Sequence, residues 1–282
     1  MSAVKIFAFA DEVDSNIDRQ ILAMKRNGLA GLEIRGVDGT NVSAINIEKA
    51  KEVRRKLDHN GLSVGSVGSP IGKINICDNF DAHLDTYKHT LGLASVLGAK
   101  NLRLFSFYMP KNEASDAYRQ CVIDRMGVFL EIAHGTGVTL CHENEKGIYG
   151  DIASRCLDLH TAFPELKAVF DPANFVQCAE DALIAWEMLK EHTEYLHIKD
   201  ALLDGSVVPA GAGQGNVPFI VRDYLLRGGK ALTIEPHLTV FDGLKELEEA
   251  SGASIIGKYA YPSAEEAFDV ACNALKNILL KV

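Results

Sequence analysis

Eight short apolar runs recur along this 282-residue chain, and longer amphipathic stretches separate them. No other feature constrains the fold so tightly. Strands repeat every two residues and helices every 3.6, so a chain that alternates between these periods must set strands side by side with helices between them. The strand-like runs are Lys5–Ala10, Gly31–Arg35, Leu62–Val67, Asn101–Phe107, Thr136–Glu143, Leu166–Asp171, Glu194–Ile198 and Ala231–Glu235. Helices are predicted over Asn16–Asn27, Ile47–Asn60, Phe80–Leu97, Ala114–His134, Asp151–Ala162, Asp181–Lys190, Pro218–Arg227 and Ser263–Lys281. Ile17, Ile21, Leu22 and Met24 form the apolar stripe of the first helix, while Trp186, Leu183, Ile184 and Met188 are expected to pack together in the core. Gly28, Gly61, Gly98 and Gly137 fall where a helix hands over to a strand and a left-handed C-cap is wanted.

Strands that alternate with helices form a parallel sheet, and eight repeats in a chain of this length favour closure into a single α/β domain, a (β/α)8 barrel spanning residues 1–282. The competing open, doubly wound sheet loses its usual nucleotide rationale, because no Gly-x-Gly-x-x-Gly turn follows the first strand. No linker, low-complexity tract or charge run divides the chain. The glycine-rich segment Asp204–Asn216 is expected to be a mobile active-site loop after the seventh strand. A formal charge of −9 argues against a nucleic-acid partner, which calls for a basic face, but leaves room for a small anionic substrate. No apolar run approaches the roughly 18 residues of a membrane helix. The N-terminus enters a strand-like run without a basic-then-apolar leader, so a cytoplasmic protein is expected. Six cysteines without a C-x-x-C pair suggest reduced, mostly buried thiols.

Chemistry concentrates in four segments of the second half: His142-Glu143-Asn144-Glu145, Asp171-Pro172-Ala173-Asn174, His197-Ile198-Lys199-Asp200 and Glu235-Pro236-His237. Each closes a strand-like run. Strand alternation places Glu143 with Cys141, Asp171 with Val169, His197 with Tyr195 and Glu235 with Thr233, always on the less aliphatic face. That face points into the barrel, and C-terminal strand ends share the rim where barrel enzymes keep their active sites. Three carboxylates crowded together repel one another and lose hydration, a conflict that a divalent cation removes. Oxygen ligands with one imidazole suit Mn²⁺, Mg²⁺, Co²⁺ or Zn²⁺. His142 has the opposite parity and is expected to pack toward the helices. His237 shares the parity of Glu235 and is a candidate for either ligation or a supporting contact.

The chain resembles the xylose-isomerase-like TIM barrels, and among them the sugar phosphate isomerase/epimerase families. The likeness is carried by Glu143-Asn144-Glu145-Lys146-Gly147-Ile148-Tyr149-Gly150-Asp151, Asp171-Pro172-Ala173-Asn174-Phe175, His197-Ile198-Lys199-Asp200, Ile234-Glu235-Pro236 and Leu32-Glu33-Ile34-Arg35. It implies that Glu143, Asp171, His197 and Glu235 ligate one divalent metal ion, and that Glu143 and Glu235 also exchange the substrate proton. The implied activity is isomerisation or epimerisation of a sugar or sugar phosphate. An inosose-type dehydratase begins with the same proton abstraction and is the alternative. An apurinic-site endonuclease shares the barrel, but it needs further histidines and a basic groove. Asn174 stands where the epimerases often have histidine, and the chain is acidic. Expected substrate contacts are Glu33, Arg35, Arg103, Asn174, Lys199 and Gln214, the last from the glycine-rich loop. Related barrels associate as dimers or tetramers, so the resemblance allows a homo-oligomer.

Overall fold

A computed structural model of the chain describes residues 4–241, 256 and 261–282. All eight expected runs are strands: β1 Lys5–Ala8, β2 Gly31–Ile34, β3 Ser63–Gly68, β4 Asn101–Leu104, β5 Thr139–Glu143, β6 Lys167–Phe170, β7 Thr193–Ile198 and β8 Ala231–Ile234. Each pairs in parallel with its sequence neighbours, and β8 pairs with β1 to close the ring. Helices α1 Ile17–Arg26, α2 Ile47–His59, α3 Phe80–Leu97, α4 Arg119–Ala133, α5 Ala153–Ala162, α6 Pro172–Gln177, α7 Ala182–Leu189, α8 Val217–Leu226 and α9 Ala264–Leu279 accompany the strands. The fold is therefore a single (β/α)8 barrel.

Side-chain alternation sorts the two faces of the sheet. Leu140, Phe170, Leu196, Leu232 and Ile234 are buried in the main apolar core. Cys141, Val169 and Tyr195 form a separate buried cluster, as residues of the opposite parity should. Trp186 is fully buried, meets Phe170 edge-on at 5.2 Å and donates its indole N–H to Asp223 at 2.9 Å. Ile184 departs from the expected packing and is 63% exposed. Two helical residues subtend about 200°, so position 184 points away from the face that Trp186 buries.

Helix starts are legible in the caps. Asn16, Asn46, Asn79, Asp181 and Ser263 each accept backbone N–H bonds from the first turn that follows. Replacing Asn79 with alanine frees the N–H groups of Asp81 and Ala82, now 3.0 and 3.3 Å from its Oδ1. The expected loss is about 1 kcal/mol, read in urea as a lower midpoint at unchanged slope.

Several features lie outside the sequence expectations. α6 follows β6 directly, with Asp171 as its N-cap and Pro172 in its first turn. Two-stranded antiparallel ribbons join Gly36–Val37 to Thr40–Asn41 and Asp200–Ala201 to Val207–Val208. The glycine-rich segment is tied down where a mobile loop was expected. Asp200 accepts N–H bonds from Ala201, Gly211, Gly213 and Gly215 at 2.8–3.0 Å. A Cβ at position 213 would stand 2.3 Å from Asp200 Oδ1, so the wrap requires glycine there. All six cysteines are free; Cys141, Cys156 and Cys272 are buried, whereas Cys77 and Cys121 are exposed. Among the described residues no helix is long and apolar enough to cross a membrane.

Candidate metal centre at the C-terminal mouth

Parallel strands deliver their C-terminal ends to one rim. Glu143 ends β5, Asp171 follows β6, His197 is the penultimate residue of β7 and Glu235 follows β8. All four are buried, and one ligand atom from each lies within 4.8 Å of the others. His197 stands among the carboxylates: its Nδ1 is 3.0 Å from Glu143 Oε1 and 3.5 Å from Glu235 Oε2.

The surrounding chain fixes each donor. Asp171 Oδ1 accepts the Asn174 N–H at 3.1 Å as the helix cap. The Asn144 side chain accepts the Asp171 N–H at 3.0 Å and donates to the Asp171 carbonyl at 2.9 Å, continuing the sheet with side-chain atoms. Asn174 donates to the Asn144 carbonyl at 2.9 Å and approaches Glu143 Oε1 at 3.5 Å. Glu33, fully shielded from solvent, lies behind His197 with Oε2 3.1 Å from its Nε2. The Tyr195 hydroxyl donates to the other oxygen of Glu33 at 2.8 Å.

Cations thread through this acidic cluster. Lys199 Nζ lies 2.8 Å from Asp171 Oδ2 and 2.9 Å from Glu235 Oε2. Arg103 approaches Glu143 Oε2 at 3.1 Å. Arg35 pairs with Asp11 at 2.8 Å and Glu12 at 3.1 Å, and stands 3.5 Å from Glu235 Oε1. Burial pushes the Asp171 carboxyl up despite Lys199. Burial also acts to raise Glu235, but Lys199 chief among its neighbours holds that group well below the usual range. His197 shows the reverse balance: burial opposes its charge, yet Glu143 and Glu33 raise it well above an ordinary imidazole.

The donor set fits a divalent cation. Oxygen and imidazole atoms converge, and Glu143 Oε2 and Asp171 Oδ2 are buried with no hydrogen bond among the described residues, each facing only a charged neighbour. Ligation requires His197 to give up the proton that its carboxylate neighbours stabilise. Cation affinity should therefore rise with pH, with about one proton released per ion between pH 7 and the raised imidazole pKa, and up to two below pH 7, where the Asp171 carboxyl, pushed up to about 7, is itself protonated. Calorimetry in buffers of different ionisation enthalpy measures that release.

The expected substrate contacts have distinct places. Arg35, Arg103 and Lys199 direct their charged ends at carboxylates, and Glu33 supports His197. Asn174 sits beside Glu143, as the spacing from Asp171 suggests. Gln214 is exposed and, among the described residues, bonds Ala201 through its backbone without touching the four donors. His142 is buried, bonds Ser106 Oγ at 2.9 Å and lies 6.2 Å from the His160 ring of α5. Sequence reasoning missed Asn144, Tyr195 and Glu12, whose roles depend on partners far along the chain.

A family model described as xylose isomerase-like TIM barrel matches residues 21–226. The chain belongs to that family. Among solved structures the family member is similar to a probable 3-DHS dehydratase, AsbF, from Bacillus anthracis (TM-score 0.74, 14% identity, 97% of this chain and 99% of that one). It is also similar to D-psicose 3-epimerase from Clostridium cellulolyticum H10 (TM-score 0.73, 14% identity, 98% of each chain). A third similar structure is an IOLI protein with a bound zinc atom (TM-score 0.74, 15% identity, 99% of this chain and 98% of that one). These likenesses establish the shared fold. No curated protein sequence matches the chain at a significant level.

Proposed function

We propose that this barrel is a divalent-cation-dependent isomerase or epimerase of a sugar or sugar phosphate. One observation carries the reading: Glu143 and Glu235, on strands three places apart around the ring, converge on the same imidazole nitrogen. Asp171, His197 Nδ1 and these two glutamates would hold the cation, which when bound supplies Lewis-acid polarisation of a substrate carbonyl.

The chain's own residues then move the proton. A C–H beside a polarised carbonyl is acidic enough to yield its proton to a positioned carboxylate. One of Glu143 and Glu235 takes it from one face of the sugar. Return by the other glutamate to the opposite face inverts that carbon; return to the former carbonyl carbon, with the neighbouring hydroxyl proton passing to the former carbonyl oxygen, isomerises the sugar. Arg103 beside Glu143, with Lys199 and Arg35 beside Glu235, aims the two carboxylates. The similarity to a 3-epimerase and to a zinc-binding barrel supports this assignment.

Lys199 favours a second reading. Its ammonium group lies buried between Asp171 and Glu235, where it could protonate a departing β-hydroxyl, and one similar structure is a probable dehydratase. Product NMR in D₂O separates the two, using cation-loaded protein and a panel of ketoses and ketose phosphates. Deuterium exchange without loss of water is the expected result, and a chelator should abolish it. Loss of water assigns the chain to the lyases instead. A loaded protein that exchanges no proton with any panel member contradicts the proposal.

A further inference from the structure

The two carboxylate oxygens of Glu235 face different surroundings. Oε2 looks into the centre described above, toward His197 and Lys199. Oε1 turns the other way, 3.8 Å from His237 Nε2 and 3.5 Å from Arg35. Around Oε1 lies a set of donors that the proton-transfer reading leaves unused. Glu12, just past β1, places Oε1 3.6 Å from His237 Nε2. One ligand atom each from Glu12, Glu235 and His237 lies within 4.8 Å of the others, and all three residues are buried.

His237 independently points to a ligand. It is 8% exposed, and among the described residues neither ring nitrogen has a hydrogen bond. Buried imidazoles normally satisfy at least one nitrogen. The ring is nevertheless held firmly in place. Its residue adopts a left-handed backbone (φ 44°), its N–H donates to Glu12 Oε2 at 2.7 Å, and the ring stacks on Phe241 at 5.5 Å. A non-glycine residue rarely adopts that conformation, so it is one the surrounding contacts must enforce.

Geometry favours a cation over another occupant. Donors 3.6 and 3.8 Å apart are spaced like ligands about 2.0–2.2 Å from a common ion. Asp11, Glu12 and Glu235 surround the Arg35 guanidinium, and Glu235 is also shared with Lys199. Arg35 can stay as a hydrogen-bond donor to Glu12, since each carboxylate oxygen keeps a second lone pair.

We propose that Glu12, His237 and Glu235 Oε1 form a second divalent-cation site, joined to the first by the Glu235 carboxylate. One imidazole and two carboxylates suit Zn²⁺, Co²⁺ or Mn²⁺. A pair of cations sharing a carboxylate would grip two oxygens of a polyhydroxylated substrate at once. The bridge, though not the second site itself, rests on the function proposed above.

The test is a Mn²⁺ titration of the chelator-stripped full chain, with bound metal counted after dialysis and the EPR spectrum recorded. Two ions per chain and a spin-coupled spectrum are expected. Glu12→Gln and His237→Gln, both close in size to the native residues, should each bind one ion and give an uncoupled spectrum. Asp171→Asn should lose the other ion. Wild-type protein that binds one ion, lost in Asp171→Asn but kept in both other variants, overturns the second site and spares the first. One ion lost in the Glu12 and His237 variants but kept in Asp171→Asn does the opposite. Two ions retained in both Glu12→Gln and His237→Gln, or none in the wild type, also overturns the proposal.

Discussion

Replacing Glu143 or Glu235 with glutamine should leave the barrel folded and lower kcat by about 10²–10⁴-fold, the usual contribution of a positioned general acid or base. Glutamine keeps the side chain's length and one carbonyl oxygen but cannot accept and return a proton. Each change also leaves a buried cation short of its partner, Arg103 beside Glu143 or Lys199 beside Glu235. Thermal stability should therefore fall along with activity. Because both glutamates also belong to the cation donor set, kcat must be measured on protein shown by calorimetry to be loaded. Wild-type turnover by loaded variants would remove both residues from the proton path.

Glu33→Gln should weaken cation affinity by about 10–100-fold, although Glu33 lies behind the donor set. Its carboxylate accepts from His197 Nε2 at 3.1 Å, which reserves the Nδ1 lone pair for the mouth and makes the imidazole a stronger donor. A glutamine oxygen could still accept from Nε2–H, but the amide N–H groups would then meet the Tyr195 hydroxyl that now donates to Glu33. Tyr195→Phe removes that supporting bond, together with the hydroxyl's 3.0 Å bond to Ser66 Oγ, and should have a smaller effect. The discriminating readout is a weaker Kd at full stoichiometry. A merely structural role for Glu33 would instead reduce the number of competent sites and leave the affinity of the rest unchanged.

The sequence carries the barrel plainly because its signals are local. Strand and helix periods, asparagine caps and glycine C-caps all act over a few residues, and the observed ends of β1 to β8 lie within a few positions of the expected ones. Parity also distinguishes His142 from the inward residues, since alternation is itself local. Support of the donor set is another matter. The bond between Glu33 and His197 joins residues 164 positions apart, and the bond between Glu12 and His237 spans 225. No periodicity encodes such pairings; they exist only once the ring has closed. For the same reason the carboxylate partners of Arg35 and Arg103 cannot be read from the sequence. α6 is too short for a helical period to emerge, yet Asp171-Pro172, a cap followed by a first-turn proline, was its available signal. Ile184 shows the converse error, an apolar residue assigned to the core without regard to its helical angle.

The claim that Glu143, Asp171, His197 and Glu235 form a cation centre is tested most directly by anomalous diffraction from Mn²⁺-soaked crystals. A peak about 2.0–2.3 Å from one atom of each of the four side chains, with Lys199 displaced from Asp171, is the predicted result. Anomalous density confined to other parts of the barrel, with the Lys199 ammonium still seated between Asp171 and Glu235, would contradict it.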